Sequence, residues 1–146
     1  MAVQRRAEAT WSGSLAEGAG VVTAATSGAF NELPVTWPSR TESSDGRTSP
    51  EELVAAAHAA CYSMSLSGRL GRAGTPPSRL DVTATVTFDK TDAGWRVISS
   101  ALTVRGEVPG MDAETFVGEA EAAKDGCPIS QALKGNVALS VEASLA

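Results

Sequence analysis

The sequence is poor in the side chains that build metal sites and disulfide frameworks. Its 146 residues include two cysteines and a single histidine. The cysteines, Cys61 and Cys127, lie far apart in the chain, and no short ligand spacing supports a metal site, which would need additional carboxylates. We therefore expect neither a metal ion nor a bound cofactor.

Basic clusters and long apolar segments are also scarce. Lys and Arg number 12 against 17 Asp and Glu, which gives a formal net charge of −5. Nucleic acids and anionic membrane surfaces are recognised by clustered basic residues, and a membrane span needs about 20 mostly apolar residues in a row. We therefore expect a cytoplasmic protein without nucleic-acid or membrane partners, in a compartment that keeps cysteines reduced.

The residues that are present indicate one globular domain of the α+β class. Hydrophobic residues make up 42% of the chain, enough for one core at this length, so we predict a single domain over residues 1–146. Residues 1–40 are interrupted by glycines and contain short β-prone runs, which predicts two or three strands. Residues 34–50 are rich in Pro, Ser, Thr, Gly and Asp and are predicted to form a loop without helix or strand.

A long helix is predicted after this loop, in the run TSPEELVAAAHAACYSM. Ser49 can cap it, Pro50 suits its first position, and Glu52 completes an S-x-x-E capping box. The helix body, residues 53–70, is apolar on nearly every side, so the helix should lie inside the protein or inside an oligomer. Apolar and small residues recur along it at helical spacing: Leu53, Ala57, Cys61, Met64 and Gly68.

In the second half of the chain, strands and helices do not alternate strictly as they do in a βαβ protein. The run LDVTATVTF predicts a half-buried strand, and DKTDAG predicts the turn of a hairpin that returns through WRVISSALTVRGEV. A second helix, AETFVGEAEAAK, is capped by Asp112 and ends at Gly126. Cys127 then begins a short third helix, and the alternating residues Val137, Leu139 and Val141 predict a closing strand. Strands and helices in blocks are typical of the α+β class.

Two thiols and a histidine are the candidates for chemistry. Cys61 lies in the interior helix, where a cysteine is often only a core residue, and His58 lies three residues before it. That spacing allows a thiolate–imidazolium pair, but packing is the commoner role of such a histidine, so His58 stays outside the catalytic set. Cys127 lies at a helix start, where free amides lower a thiol pKa from about 8.5. The two cysteines would form a peroxidatic and resolving pair if the fold brings them within disulfide distance.

Two long segments resemble one known family. The run TSPEELVAAAHAACYSMSLS is similar to the thiol-peroxidase segment of the OsmC and organic hydroperoxide resistance family, and AKDGCPISQALKGNVALSV is similar to its second-cysteine segment. The resemblance extends over the whole chain, including LDVTATVTFDKTDAGW and VPGMDAETF, and the order and separation of the cysteine segments match. His58 before AACYSM and Ile129 after Cys127 resemble the OsmC branch.

The resemblance implies an OsmC-like fold, with antiparallel sheets packed around long central helices in an intertwined homodimer. It also implies a thiol-dependent peroxidase that reduces organic hydroperoxides to alcohols, and hydrogen peroxide less well. Cys61 would attack the peroxide and become a sulfenic acid, and Cys127 would resolve it as a disulfide. An external dithiol reductant, such as a protein-bound lipoyl group, would then restore the thiols.

The family pattern also includes an arginine and a glutamate at the site. Glu51 matches the glutamate, and Arg40 matches the arginine of the OsmC branch. Arg47 is a lesser candidate, because the loop TESSDG is one residue longer than the resemblance leads us to expect. A guanidinium can stabilise a thiolate and a leaving alkoxide, while a carboxylate that accepts from its N–H groups holds it in one orientation. Without the resemblance, Glu51 would be read as compensation of the helix dipole and the arginines as solvated loop charges.

The spacing along the predicted central helix bears on oligomerisation. Glu51 and Cys61 are ten residues apart, which is about 15 Å at 1.5 Å per residue. If both serve one site, the chain should dimerise with its central helices antiparallel, so that Glu51 and the Arg40 loop of one subunit cover Cys61 of the other.

Two alternatives to the peroxidase remain open at the level of sequence. One is a non-catalytic OsmC-like domain that binds a small apolar ligand in the same pocket. The other is a redox sensor in which Cys61 and Cys127 are oxidised stoichiometrically to signal to a partner. Retention of both cysteines, Glu51 and a loop arginine favours the enzyme.

Overall fold

The computed structural model describes all 146 residues, Met1 to Ala146. They form an α+β fold with two three-stranded sheets and four helices. In chain order the elements are β1 (Glu8–Ser12), β2 (Ala19–Thr23), β3 (Leu33–Val35), α1 (Trp37–Thr41), α2 (Pro50–Arg72), β4 (Arg79–Thr91), β5 (Gly94–Glu107), α3 (Ala113–Gly126), α4 (Pro128–Leu133) and β6 (Ala138–Leu145). The α+β class predicted from the sequence is confirmed.

The chain divides into two compact units, Met1–Leu53 and Val54–Ala146. The boundary falls within the first turns of α2, which runs as one helix from Pro50 to Arg72. The single domain predicted over residues 1–146 stays a prediction. No helix of the chain has both the length and the apolar content needed to cross a membrane.

The unit Met1–Leu53 contains the antiparallel sheet β1-β2-β3, which confirms the strands predicted in the first forty residues. The loop predicted over residues 34–50 is wrong in its first part, because β3 extends to Val35 and α1 covers Trp37–Thr41. A reciprocal capping box stabilises this short helix: the Thr36 hydroxyl accepts from the Ser39 amide, and the Ser39 hydroxyl accepts from the Thr36 amide. The Pro, Ser and Thr residues interpreted as loop signals are here signals of a helix start.

Helix α2 begins as predicted at Pro50. The Ser49 hydroxyl accepts a hydrogen bond from the Glu52 amide at 3.1 Å. In the predicted capping box the Glu52 carboxylate would accept from the Ser49 amide. In the structure it accepts from the Thr48 hydroxyl at 2.7 Å instead. The helix therefore keeps a side-chain cap that satisfies one of its free amides.

The unit Val54–Ala146 contains the sheet β4-β5-β6. The hairpin of β4 and β5 is antiparallel as predicted, with one bulge between Thr87 and Phe88. The closing strand β6 is also present, but it pairs parallel with β5 and so departs from the expected antiparallel arrangement. The physical reason is the connection: α3 and α4 separate β5 from β6, and such a crossover returns the chain in the parallel direction.

The core of this unit is formed by one face of α2, by β5 and by α3. From α2 come Tyr62, Leu66 and Leu70, all with 0% exposure. The stripe predicted from helical spacing is a different face: Met64 is 69% exposed, and Ala57 and Gly68 are exposed as well. The faces of an alanine-rich helix differ little in hydrophobicity, so helical spacing alone did not identify the buried face.

Candidate active site

The two cysteines belong to one apolar cluster. Cys127 is fully buried, and Cys61 is half-buried and packs against the same core residues. Both are free thiols, and they lie close enough for each to shift the pKa of the other. Cys61 comes from the middle of α2, and Cys127 ends α3 and caps the start of α4. The fold thus brings together the two residues that the sequence predicts as a redox pair.

The thiols differ in acidity because their surroundings differ. Burial raises the pKa of Cys61, and its hydrogen bond to Cys127 raises it further, although the Ile129 amide and the Ser65 hydroxyl oppose this. Burial also disfavours the thiolate of Cys127, but hydrogen bonds from the Ser130 amide, Cys61, the Ser130 hydroxyl and the Ile129 amide outweigh it and lower the pKa. The two thiols therefore titrate as an interacting pair.

His58 does not pair with Cys61. Its ring is fully buried, and both nitrogens have serine partners: Nδ1 lies 2.7 Å from Ser100 Oγ, and Nε2 lies 2.8 Å from Ser130 Oγ. Burial lowers the pKa of the imidazole, so it is neutral near pH 7. The thiolate–imidazolium alternative is thus excluded in favour of a hydrogen-bonded core histidine.

Arg40 and Glu51 form a close ion pair within the unit Met1–Leu53. The Arg40 guanidinium donates from Nε and Nη2 to the Glu51 carboxylate, at 2.7 to 3.1 Å. The Glu51 side chain is 9% exposed and that of Arg40 is 29% exposed. The guanidinium also lies over the Trp37 ring, 5.6 Å from its centroid. A two-pronged pair of this kind fixes the orientation of the guanidinium plane.

Arg47, the lesser candidate, lies elsewhere. Its guanidinium donates to Asp45 at 3.0 Å, within the exposed turn before α2. Asp45 and Gly46 both have positive φ there, which is the backbone conformation of a tight turn. Of the two candidate arginines, only Arg40, which lies in α1 and not in a loop, contacts the predicted glutamate.

An apolar cavity of about 310 Å³ adjoins the ion pair in the same unit. Trp11, Leu15 and Trp37 line it, and Arg40 forms part of its wall. An apolar cavity with one charged group is suited to a small molecule that has a hydrophobic tail and a polar end.

Sequence reasoning missed two residues of this region, Ser100 and Ser130. Both are buried, with 0% and 1% exposure. A signal for Ser100 existed, since it alternates with the core residues Leu102 and Val104 along β5 and therefore shares their face. Ser130 lies three residues after Cys127, a distance at which a side chain reaches back to a helix start. Neither serine was singled out in the sequence, because serine is usually exposed.

No group of three or more histidine, cysteine or carboxylate side chains gathers anywhere in the chain in a way that could hold a metal ion.

Comparison with known proteins gives consistent results. Residues 43–142 match the family model described as OsmC-like protein. The chain is 45% identical to the Peroxiredoxin OsmC of Escherichia coli over 139 residues, covering 95% of this chain and 96% of the relative. It is 32% identical to the organic hydroperoxide resistance protein OhrA of Bacillus subtilis, covering 76% of this chain and 79% of the relative.

A solved structure agrees with the fold. The crystal structure of an organic hydroperoxide resistance protein from Elizabethkingia anophelis superposes with a TM-score of 0.76 at 25% identity, covering 100% of both chains. The family resemblance read from the two cysteine segments is confirmed, and the higher identity to Peroxiredoxin OsmC agrees with the OsmC branch. The chain therefore belongs to the family of OsmC-like proteins.

Proposed function

We propose that this protein is a cysteine-based peroxidase that reduces organic hydroperoxides to alcohols, and hydrogen peroxide less well. The observation that carries the proposal is the contact between two free thiols, Cys61 and Cys127, inside one apolar cluster. The relatives named Peroxiredoxin OsmC and organic hydroperoxide resistance protein support it. Two free thiols side by side in one apolar cluster are the arrangement expected of a nucleophile and its resolving partner.

The proposed reaction has two chemical steps. The Cys61 thiolate attacks the terminal oxygen of the hydroperoxide, so the O–O bond breaks, an S–O bond forms, and the alkoxide leaves and takes up a proton as the alcohol. Cys61 is then a sulfenic acid. The Cys127 thiolate attacks that sulfur, the S–O bond breaks, hydroxide leaves and is protonated to water, and a disulfide forms. An external dithiol, such as a lipoyl group, restores both thiols by exchange.

Arg40 and Glu51 are proposed to handle the charges of the first step. Burial raises the pKa of Cys61, so a positive charge is needed to form its thiolate at neutral pH. A guanidinium held in one orientation by Glu51 can stabilise that thiolate and then the departing alkoxide. The apolar cavity beside Arg40 is proposed to take the alkyl or aryl tail of the substrate.

A homodimer is proposed as the active form. Ten residues of one continuous helix separate Glu51 from Cys61, so we infer that Arg40 and Glu51 of a second copy serve Cys61. The exposed face of α2 supports a second copy as the occupant, because it is apolar and small, with Met64 69% exposed and the neighbouring Ala57, Ala60 and Gly68 exposed. The whole chain of residues 1–146 is proposed to work as one functional domain of that dimer.

The function is tested by peroxide consumption. Reduced protein is supplied with a dithiol and either cumene hydroperoxide or hydrogen peroxide, and the loss of peroxide is followed. We expect turnover with both and a higher kcat/KM for cumene hydroperoxide. No turnover with any dithiol, together with a Cys61 that stays reduced, would instead leave a protein that binds small apolar ligands.

The dimer is tested separately by dilution. Sedimentation and peroxidase activity are measured over a concentration series for the wild type and for Met64→Glu, which places a charge on the exposed face of α2. We expect the variant to dissociate at higher concentration and to lose activity in parallel. A monomeric wild type whose specific activity does not change on dilution would contradict the proposal.

A further inference from the structure

His58 is a buried titratable residue to which the proposed reaction assigns no task. It lies on the core-facing side of α2, with 0% exposure. Its ring connects two elements of the unit Val54–Ala146, because Nδ1 contacts Ser100 of β5 at 2.7 Å and Nε2 contacts Ser130 of α4 at 2.8 Å. Both ring nitrogens therefore have a single hydroxyl partner each, and none of the three polar groups is exposed.

The contact chain continues from Ser130 to the thiol pair. The Ser130 amide and hydroxyl lie close enough to the Cys127 sulfur to lower its pKa, and the Cys61 thiol acts on the same sulfur. Two hydrogen bonds thus connect Ser100, His58 and Ser130, and Ser130 in turn acts on the Cys127 thiol. Buried networks in which every member has its partner are rigid and strongly oriented.

The number of hydrogens in this series determines its direction. A serine hydroxyl carries one hydrogen, and a thiolate can only accept. When Cys127 is a thiolate, Ser130 must donate its hydrogen to the sulfur, so the Ser130 oxygen must accept from His58. A neutral imidazole has one N–H, which must then be on Nε2, and Nδ1 must accept from the Ser100 hydroxyl.

We propose that His58 is a positioning residue for Cys127: as the neutral Nε2–H tautomer, it holds the Ser130 hydroxyl with its hydrogen directed at the Cys127 sulfur. Ser100 secures the tautomer by donating to Nδ1. The inference rests on the proposed function for its use, since the stabilised thiolate is the one that attacks the Cys61 sulfenic acid and the one that leaves when a dithiol opens the disulfide. His58 itself touches neither the peroxide nor a reacting sulfur.

The surroundings are consistent with a neutral ring. Burial lowers the pKa of His58, and an imidazolium would donate from both nitrogens and leave Ser100 without an acceptor. Among the titratable groups that interact with Cys127, burial raises the pKa of Cys61 and of Tyr62, and the Tyr62 hydroxyl donates to the Ala120 carbonyl at 3.0 Å. The thiolate of Cys127 therefore depends on dipoles rather than on a neighbouring cation.

The first test reads the tautomer directly in the unmodified protein. His58 is the single histidine of the chain, so nitrogen-15 labelling of histidine yields one pair of ring signals. We expect the reduced protein to show the neutral Nε2–H pattern at pH 7 and to become an imidazolium only below the ordinary histidine pKa of about 6.5. A neutral ring protonated on Nδ1, or an imidazolium at pH 7, would overturn the proposal.

The second test measures the thiol that the network is inferred to stabilise. In a Cys61→Ser background, Cys127 is the remaining thiol, and because it is fully buried, its pKa is obtained from the ultraviolet absorbance of the thiolate as a function of pH. His58→Asn and Ser130→Ala are expected to raise that pKa, so the midpoint of the titration moves up by about one pH unit. Ser63→Ala is the matched control, because Ser63 is a serine of α2 whose hydroxyl bonds to the Ala60 carbonyl.

The outcome separates this inference from the peroxidase itself. The thiol titration needs no peroxide, so a raised Cys127 pKa supports the positioning role even if no peroxide is reduced. A folded His58→Asn or Ser130→Ala variant with the Cys127 pKa of the control would overturn the inference while the peroxidase could still turn over. Should His58→Asn fail to fold, Ser130→Ala and the tautomer of the unmodified protein decide the matter.

Discussion

Two polar groups of this molecule are stabilised in opposite ways. In the unit Met1–Leu53, Arg40 and Glu51 are two full charges held together by direct hydrogen bonds. In the unit Val54–Ala146, His58, Ser100 and Ser130 are neutral, and they meet the thiol pair through hydroxyl groups. One group compensates charge with charge, and the other supports a single thiolate with oriented dipoles.

This difference indicates that the thiolates of Cys61 and Cys127 are stabilised in different ways. Burial raises the pKa of Cys61 within its own unit, so its thiolate needs an added cation, which we propose comes from Arg40 of a second copy. The pKa of Cys127 is already lowered by the amides and hydroxyl around it. A nucleophile that depends on the assembled site and a resolving thiol that is ready beforehand would confine peroxide attack to the dimer.

The largest effect is expected from removing the sulfur of the nucleophile. Cys61→Ser should lose peroxidase turnover down to the uncatalysed background, because an alcohol of high pKa replaces the thiolate. Cys127→Ser should still consume about one equivalent of peroxide per subunit and then stop as a sulfenic acid. Intact mass after one equivalent of cumene hydroperoxide distinguishes the two. Full turnover of Cys61→Ser would reverse the proposed roles of the cysteines.

A smaller loss is expected from changing the shape of the cation. Arg40→Lys keeps the charge but removes the fork that Glu51 orients, and we expect kcat/KM to fall by about a hundredfold. Arg47→Lys is the matched control, since Arg47 pairs with Asp45 in an exposed turn. Stopped-flow peroxide kinetics measure both. Equal losses in the two variants would remove the distinction between the two candidate arginines.

The neutral network makes a prediction about stability and pH. Burial lowers the pKa of His58 in the folded protein below the ordinary histidine value of about 6.5, so the unfolded chain binds a proton more readily than the folded chain does. The free energy of unfolding should therefore decrease as pH falls below about 6.5, by at most about 1.4 kcal/mol per pH unit. Denaturant melts from pH 7.5 to 5.5 measure this slope, which His58→Asn should lack. A slope identical in both proteins would count against a buried neutral histidine.

The smallest effect is a change in stability that should alter neither the Arg40–Glu51 ion pair nor the hydrogen bonds of His58. The Asp112 side chain accepts from the Thr115 amide at 2.9 Å and caps α3. Asp112→Ala should lower the free energy of unfolding by about 1 kcal/mol, because one amide of the first turn loses its acceptor. Urea melts measure the loss, and kcat/KM for cumene hydroperoxide should stay at the wild-type value. A large fall in kcat/KM would mean that a loss of stability alone reduces activity. The losses expected for the cysteine and Arg40 variants would then no longer point to chemistry.

Local signals in the sequence account for most of the elements. The Ser49 cap, the Asp112 cap and the alternation in LDVTATVTF each depend on neighbours within a few residues, and the structure has all three. The same locality misled the prediction at residues 34–50, where Thr36 and Ser39 cap a helix. Pro, Ser and Thr are shared by loops and helix starts, so composition cannot separate them without the geometry.

The sequence by itself determined the α+β class, the family, and the identity of the thiols and the Arg40 and Glu51 candidates, because these follow from local pattern and from motifs. Only the tertiary structure decided which face of α2 is buried, that Arg40 rather than Arg47 contacts Glu51, and that His58 bonds to two serines instead of Cys61. Those outcomes depend on side chains that are distant in sequence and adjacent in space. A hydroxyl or an imidazole becomes informative only when its partner is known, since a buried polar group must find one.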